Sequence, residues 1–301
     1  MSIVVLNKTP DKVKKSQKGN PIKTPKSLED DARVSINKIV REVNAELRTI
    51  SDDARTNTPE QTAALLNDFK RRWRSIIEQR ADIISKEWVK AIDENNYEKT
   101  MAMLRKAFGI DITTILEDKD IADTLEAMRL NMVNLIVTIP EESLKRVALR
   151  IYENYQGIAM PENRTLQQQI SQEFKTTYRQ AKVIARDQTA KINSSLNKIR
   201  QQKLGVDIYI WQTMRDNRVV GKPGGLYPKG NDAHGNHYIM QGLYCKYSDP
   251  TVFSTDGKTW RKRTAQMPKG EPGTDIQCRT GFILGSCQEK SCCSLRKPST
   301  P

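Results

Sequence analysis

The chain has 301 residues, of which 37% are hydrophobic and 29% charged, and its formal net charge is +14. This length suits one large domain or two to three small ones, and the sequence holds no run of 18 apolar residues that could span a membrane. The positive charge argues against an acidic small-molecule enzyme and favours a polyanion as a partner. The apolar residues 3–6 are too few for the core of a signal peptide, and lysines follow them rather than precede them, so a cytosolic chain is expected.

The excess charge lies outside the middle of the chain. Residues 31–161 carry 20 basic and 22 acidic side chains, whereas residues 1–30 carry 7 and 3. Residues 162–205 carry 9 basic and 3 acidic side chains, and residues 206–301 carry 14 and 8. Aromatic residues make up only 6% of the chain, which is too few for extensive base stacking, so contact with phosphates is the expected mode.

The first predicted elements are a disordered arm and an amphipathic helix. Residues 1–30 are rich in Lys, Pro, Gly and Ser, which predicts a basic arm without a packed core. Apolar residues then recur at helical spacing, which predicts a helix that packs in a bundle or against a partner helix. They are Ile36, Ile39, Val40, Val43, Leu47 and Ile50.

Capping and breaking signals divide the region that follows. Thr58 is a predicted N-cap, with Pro59 in the first turn and Gln61 completing a capping box. The pattern predicts an all-α region of five to seven helices, divided into a helical domain over residues 31–139 and a second helical part over residues 140–205. The other signals are a break at Gly109, a stop at Ile139-Pro140, a cap at Asn163-Arg164-Thr165, and a C-cap at Gly205 after a helix that ends near Lys203.

The composition and the hydrophobic pattern of the sequence change after residue 205. Apolar and polar residues alternate over residues 206–211, which predicts a strand, and Gly and Pro become frequent. The segments Tyr238-Ile239-Met240 and Thr251-Val252-Phe253 have the length and composition of short strands. The predicted fold class is therefore mainly α: a helical N-terminal domain followed by a small loop-rich α+β C-terminal module over residues 206–285, with a disordered tail over residues 286–301.

Metal binding is a weak hypothesis for this module. His234, His237, Cys245 and Cys278 could supply the four ligands of a tetrahedral zinc site. Their spacing does not support it, because the chain has no Cys-x-x-Cys pair. Reduced thiols are the ordinary state of cysteines in a cytosolic chain. No metal and no other cofactor is therefore expected.

A nuclease-like site is the enzymatic hypothesis. His237 and Asp216 would supply acid and base catalysis beside a phosphate cradle of Arg215, Arg218 and Arg279. Alternatively, Arg215-Asp216-Asn217-Arg218 is a turn whose charged side chains pair with each other and with the backbone. Residues 221–225 do not form a phosphate-binding loop, since no Ser or Thr follows the lysine.

Eight segments occur in a characteristic order within roughly residues 140–280. The first four segments are Ala185-Arg186-Asp187-Gln188-Thr189-Ala190-Lys191, Asn197-Lys198-Ile199-Arg200, Tyr209-Ile210-Trp211-Gln212-Thr213 and Arg215-Asp216-Asn217-Arg218-Val219. The rest are His237 with Met240-Gln241-Gly242 and Cys245, Asp249-Pro250-Thr251-Val252, Asp256-Gly257-Lys258-Thr259-Trp260, and Pro272-Gly273 before Gln277-Cys278-Arg279. Together these segments resemble the tailed-phage head morphogenesis (minor head) proteins of the Mu F-like family.

The chain departs from the family pattern at possible metal ligands. Thr280 follows Cys278-Arg279 where the family commonly has a second cysteine, and Glu271 precedes Pro272 where it often has histidine. Both departures weaken the zinc hypothesis. Some fifteen residues, from Val220 to Asn236, separate the Arg-Asp turn from His237, where relatives have only a few.

The resemblance implies a structural protein and not an enzyme. It implies a low-copy component of the procapsid, located in the virion head interior and in the host cytoplasm during assembly. The implied partners are the portal protein, the major capsid or scaffolding protein, and non-specific double-stranded DNA, with no membrane. The alternatives are a phage-derived nuclease-like or toxin-like enzyme and a host nucleoid-type DNA binder; the second is disfavoured because the first 160 residues lack a basic recognition helix.

Two sets of residues follow from charge and resemblance. The residues expected to contact DNA are Lys182, Arg186, Lys198, Arg200, Arg261, Lys262 and Arg263. The residues expected to organise the module are Trp211, Arg215, Asp216, Arg218, Cys278 and Arg279. In this hypothesis the Arg-Asp-Asn-Arg turn and the Cys278-Arg279 end pack together, with Asp216 paired to an arginine above a buried Trp211.

Overall fold

Four long helices and a small sheet make up the structure, a computed structural model that describes residues 22, 24–108, 119–158, 164–203, 206–213, 215–229, 235–272 and 281–284. This arrangement confirms the predicted fold class of a helical domain followed by a small strand-containing module. The helices are α1 (Lys26–Asp53), α2 (Pro59–Phe108), α3 (Lys119–Tyr155) and α4 (Leu166–Lys203).

Reciprocal capping boxes begin two of these helices. At the start of α2, the Thr58 N–H donates to Gln61 Oε1 at 2.9 Å, and the Gln61 N–H donates to Thr58 Oγ1 at 3.3 Å. At the start of α4, Thr165 and Gln168 make the same exchange at 2.9 and 3.3 Å. Each box satisfies donors that the first helical turn leaves without partners. Both predicted helix starts are confirmed at these threonines.

The apolar stripe of α1 is the spine of one continuous core. All six of its predicted stripe residues are buried.

α2 changes partners along its length: Trp73 donates to Glu46 Oε2 of α1, and Trp88 donates to Thr189 of α4. α2 therefore has neighbours on two sides. Within the described part of the chain, no helix combines the length and apolarity needed to cross a bilayer.

The described residues contain fewer helices than were predicted for this region. The described residues contain four helices and not five to seven, because α3 continues through Pro140. A proline inside a helix removes one backbone hydrogen bond and crowds the preceding turn. Here Ile136 and Ile139 on one side of Pro140, and Val147 and Ile151 on the other, are buried in the same core. Packing on both sides therefore outweighs the local stop signal.

Two predicted boundaries move as well. α1 begins at Lys26, so the last residues of the predicted arm are helical. The boundary at 139/140 is wrong because it falls inside α3, and a single apolar core runs from Ala32 to Leu196. Residues 31–139 and 140–205 thus form one bundle. The predicted break at Gly109, the C-cap at Gly205 and the tail over residues 286–301 lie outside the described residues.

The module contains a five-stranded antiparallel sheet. Its strands are β1 (Ile208–Gln212), β2 (Tyr244–Lys246), β3 (Val252–Ser254), β4 (Arg261–Lys262) and β5 (Gly281–Leu284). They lie in the order β4-β3-β2-β1-β5. β1 pairs with β2 through Tyr209 opposite Cys245. The strands predicted over residues 206–211 and 251–253 are confirmed, with bounds shifted by one or two residues.

Tyr238–Met240 is a short 3-10 helix, so the strand predicted there is wrong. The Met240 N–H donates to His237 O at 3.3 Å, and the Gln241 N–H donates to Tyr238 O at 3.2 Å. These bonds between residues three apart curl the chain locally instead of leaving its amides free for a neighbouring strand. Gly242, with φ at +80°, then leads the backbone into the turn before β2.

Candidate nucleic-acid interface

The first buried face of α4 fixes it to α2 through polar side chains. Trp88 Nε1 donates to Thr189 Oγ1 at 3.1 Å. The amide nitrogen of Asn96 donates to the side-chain oxygens of Asn193 and Asn197, each at 2.9 Å. Buried polar groups are costly unless they are hydrogen-bonded. The network therefore fixes the register of α2 against α4, and it uses two of the segments that carry the family resemblance.

Arg200 belongs to this network and not to a DNA-binding surface. Its side chain is only 2% exposed and forms an ion pair with Asp93. The guanidinium also donates to Asn96 Oδ1 and lies 5.6 Å from the ring centroid of Tyr97. Burial lowers the pKa of Arg200, and the Asp93 carboxylate opposes that shift. The predicted DNA contact is wrong at this residue because no phosphate can reach a buried guanidinium.

The second buried face of α4 holds the module. Tyr247 Oη donates to Gln201 Oε1 at 2.9 Å. Lys198 Nζ contacts Glu271 Oε1 at 2.7 Å, and Ser194 Oγ donates to the Pro272 carbonyl. Lys198, a predicted DNA contact, is therefore committed to Glu271. The resembling segments near residues 197 and 272 are far apart in sequence, and these contacts hold them next to each other in the structure.

A small aromatic core lies beneath the sheet. Tyr209 and Tyr247 pack with ring centroids 4.5 Å apart, and Trp211 is fully buried beside them. Arg263 lies over the Trp211 ring at 5.5 Å and donates to the carbonyls of Pro268 and Gly270, each at 2.8 Å. The predicted DNA contact at Arg263 is corrected to an internal tie, because its donors are directed at the chain's own carbonyl groups.

The buried thiol of Cys245 is not poised for chemistry. It lies in the aromatic core, and burial raises the pKa of the thiol. A protonated thiol is a poor nucleophile and a poor metal ligand. His234 and Cys278 lie outside the described residues. Among the residues that are described, no group of three or more His, Cys, Asp and Glu side chains could hold a metal ion.

The Arg-Asp turn is a surface feature. Asp216 accepts hydrogen bonds from the Arg218 N–H at 3.0 Å and from Arg218 Nη2 at 3.1 Å, and Arg215 and Arg218 are exposed. Asp216 pairs with an arginine and Trp211 is buried, as the hypothesis expected, but the arginine over the Trp211 ring is Arg263. The alternative of a self-paired turn describes it better. Cys278 and Arg279 lie outside the described residues.

His237 and Asp216 occupy different environments. His237 is buried with its ring 5.7 Å from that of Trp211, in an edge-on arrangement. Asp216 lies at the surface, and its carboxylate accepts from Arg218. A general base must reach the substrate's proton directly or through one water. A histidine packed against a core tryptophan is poorly placed for that role.

Exposed cations collect on the outer strands of the sheet. Val252 of β3 pairs with Lys262 of β4, and Lys246 of β2 lies in the same cross-strand row by register. Lys246 Nζ lies 4.4 Å from the ring centroid of Trp260. Arg261 and Lys262 are exposed. We call Lys246, Trp260 and Lys262 the strand cation face; it presents two positive charges and one aromatic ring, a chemistry that suits phosphates. Arg261 pairs with Phe253 and lies on the other side of the strand.

Sequence reasoning identified only part of this face. Lys262 was expected from its charge, and Arg261 lies on the other side of the strand, while Lys246 and Trp260 were missed. The missed signal is the alternation of strand side chains, which puts residues two apart on the same side of a strand. Of the α4 cations expected to contact DNA, Lys182 is exposed, and Arg186 is half-buried and interacts with other residues of the chain.

Two aspartates in the resembling segments organise turns. Asp249 accepts from the Thr251 N–H at 3.0 Å and from its hydroxyl at 2.6 Å. Asp256 accepts from the amides of Lys258 and Thr259, each at 2.8 Å. The pKa of both carboxyl groups is lowered, chiefly by hydrogen bonds: from the Thr251 side chain to Asp249 and from the Thr259 amide to Asp256. These aspartates shape the loops that border the strand cation face.

Comparisons with known proteins add one relative. No protein-family model and no solved structure matches the chain. The chain is similar to an uncharacterized protein of Haemophilus influenzae (strain Rd), with 25% identity over 229 residues. The match covers 76% of this chain and 44% of the relative, so the chain spans less than half of the relative's length.

Proposed function

We propose that this protein is a minor head (head morphogenesis) protein of a tailed phage, present in low copy number inside the procapsid. In this role it contacts the portal protein or the major capsid or scaffolding protein, and it contacts packaged double-stranded DNA without sequence preference. It works by binding and not by catalysis. The eight segments that resemble this class of protein occur in order along residues 140–280.

The role of those segments in the fold supports a structural protein. Asn197 and Arg200 fix α4 to α2, Pro272 ties the module to α4, and Asp249 and Asp256 shape turns. In enzymes, residues that are shared across a family often converge on a cleft where they meet substrate. Here they are used internally, which leaves the outer surface for partners.

The strand cation face supports the DNA contact. The last 140 residues carry the excess of positive charge, and Arg200, Lys198 and Arg263 are withdrawn from it by internal contacts. Lys262 is exposed on the outermost strand, and Lys246 lies in the same cross-strand row. Neighbouring cations on an exposed surface bind DNA by releasing the counterions condensed on its phosphates. Such binding needs no base-specific contacts and suits a protein that meets DNA of any sequence.

The proposal is tested in the genome that encodes the chain. The coding sequence is deleted, the resident phage is induced, and infectious particles are counted with and without a copy supplied in trans. We expect a large loss of titre that the copy restores, and we expect the protein in purified heads by mass spectrometry. A normal titre after deletion, or purified heads without the protein, would contradict the proposal.

A further inference from the structure

Four large apolar side chains are exposed at one end of the module. Leu226 is 66% exposed, Tyr227 57%, Tyr238 41% and Ile239 36%. Two backbone hydrogen bonds bring them together: the Gly221 N–H donates to Tyr227 O at 2.8 Å, and the Tyr238 N–H donates to Val220 O at 3.1 Å. The pairs 226–227 and 238–239 therefore flank the same stretch of backbone at 220–221. We call these four residues the apolar patch.

The loop that carries half of the apolar patch is well fixed. The Leu226 N–H donates to Asn217 O at 2.6 Å, and the Gly225 N–H donates to Lys222 O at 3.0 Å. Lys222 Nζ donates to Arg215 O at 2.9 Å. An added Cβ at Gly225 would lie 2.8 Å from Asn217 O, so the close approach requires glycine. Leu226 and Tyr227 are therefore presented in a fixed position at little entropic cost on binding.

Basic side chains outnumber acidic ones on the described loop that carries half of the apolar patch. Arg215, Arg218, Lys222 and Lys229 lie on the same loop, and the one acidic side chain among residues 215–229, Asp216, is paired with Arg218. A cluster of exposed apolar residues with a charged rim is the composition of a protein-binding site. Tyrosines are frequent among the residues that dominate such interfaces.

We propose that the apolar patch is a docking site for an acidic protein segment that inserts an apolar side chain between Tyr227 and Tyr238. A positive rim attracts such a partner and repels a second copy of this chain, whose net charge is +14. Leu226 and Ile239 offer nothing to a nucleic acid, which binds through phosphates or stacks on rings. The inference rests on the proposed function for its probe, because the portal is the head protein that a minor head protein is expected to meet.

The test measures binding of the full chain to purified portal protein from the same phage by surface plasmon resonance. The patch variant is Leu226→Ser with Tyr227→Ser. Its matched control is Val34→Ser with Ile83→Ser, two residues of the bundle that are 60% and 56% exposed. Lys229→Glu tests the rim, and Lys145→Glu makes the same charge change on an exposed residue of α3. Circular dichroism verifies that every variant folds.

We expect the patch variant to bind the portal at least about tenfold more weakly, as truncation of central interface residues does. Lys229→Glu should weaken binding as well, while both controls stay within about twofold of the parent. Equal portal affinity of parent and patch variant would overturn the docking site while leaving the proposed function standing. Absence of portal binding by the parent, together with normal titre after gene deletion, would remove both.

Vesicles and DNA serve as competing probes for the same variants. Binding of the same variants to phosphatidylcholine vesicles with 30 mol% phosphatidylglycerol and to a 30-base-pair duplex is measured by surface plasmon resonance at about physiological salt. The docking site is supported if the patch variant loses portal binding and retains the affinity of the parent for both probes. If the patch variant loses vesicle or duplex binding while portal binding is unchanged, the patch serves a membrane or a nucleic acid, and the proposal is overturned.

Discussion

The hydroxyl of Tyr247 donates a 2.9 Å hydrogen bond to Oε1 of Gln201, and both side chains are buried. Tyr247 belongs to the module, and Gln201 lies in the last turn of α4. Burial raises the pKa of Tyr247, so the hydroxyl keeps its proton and remains a donor. This bond joins the bundle to the sheet at a point where neither partner can use water as a substitute.

Tyr247→Phe should lower the free energy of unfolding by about 1–3 kcal/mol, because it leaves the buried Gln201 oxygen without a donor. Urea denaturation of the full chain, followed by circular dichroism, gives this difference. Tyr227→Phe is the matched control, since Tyr227 is exposed and the same change there should have almost no effect. Equal stability of the parent and Tyr247→Phe would show that the contact contributes nothing.

Two aspartates that pair with arginine should differ sharply in their contribution to the free energy of unfolding. Asp93→Ala leaves the guanidinium of Arg200 buried without its counter-charge, and we expect a loss of about 3 kcal/mol, the lower end for breaking a buried pair, because the Asp93 side chain is 28% exposed. Asp216→Ala removes a surface partner of Arg218 and should cost under about 1 kcal/mol. Unfolding in urea measures both; similar losses would refute the distinction between a buried and an exposed pair.

The capping box at Thr165 should stabilise α4 measurably. Thr165→Ala removes the acceptor of the Gln168 N–H, and we expect a loss of about 1 kcal/mol. Thr49→Ala, inside α1, removes only a hydrogen bond of an exposed hydroxyl to the preceding turn and improves helix propensity, so it should be neutral or slightly stabilising. The melting temperatures of the two variants are compared. A lower melting temperature for Thr49→Ala than for Thr165→Ala would contradict the capping argument.

DNA affinity should be independent of sequence and should fall steeply with salt. Each phosphate contact contributes about −0.9 to the slope of log K against log salt, so Lys262→Ala should reduce the magnitude of that slope by about one. Fluorescence anisotropy with two unrelated duplexes, from about 50 to 200 mM salt, measures it. Lys145→Ala on the bundle is the control. A flat salt titration, or the same slope for both variants, would show that the strand cation face is not the DNA contact.

Acid should selectively weaken the turn at Asp256. The pKa of this carboxyl is lowered in the folded protein, chiefly by its hydrogen bond from the Thr259 amide, so the folded state favours the ionised form. That contribution is complete above the unfolded pKa of about 4 and is lost as the pH falls through the lower folded pKa. The stability difference between the parent and Asp256→Asn should therefore shrink from pH 7 towards pH 3. A difference that stays constant over this range would contradict the assignment.

Local signals in the sequence predicted the local structure well. Thr58 predicted a helix start because a capping box involves residues only three apart, and the helix predicted after the cap at Asn163-Arg164-Thr165 begins at Leu166. The stripe of α1 predicted a buried face because helical spacing is set by the backbone. The stop at Pro140 failed because the packing of Ile139 and Val147 in the core outweighs the proline's cost of about 3 kcal/mol.

The candidate site was harder to predict because its contacts join residues that are far apart in the sequence. Arg200 has the composition of a DNA contact, and only its approach to Asp93, over a hundred residues earlier, reveals an internal role. Lys198 and Arg263 were misassigned for the same reason: charge is visible in sequence, but the partner that neutralises it is not. Polar residues at helical spacing, such as Asn193 and Asn197, are a usable hint that a helix face is buried against another polar face.

The two buried faces of α4 limit how this helix can change during evolution. One face is held by Trp88 and Asn96, and the other by Tyr247 and Glu271, so few positions are free to drift. The 229-residue similarity to the Haemophilus influenzae protein is longer than the chain from residue 1 to Lys203, so it includes parts of both the bundle and the module. We expect the two parts to be inherited as one unit, with variation in α4 concentrated at solvent positions such as Lys175, Arg179 and Lys182.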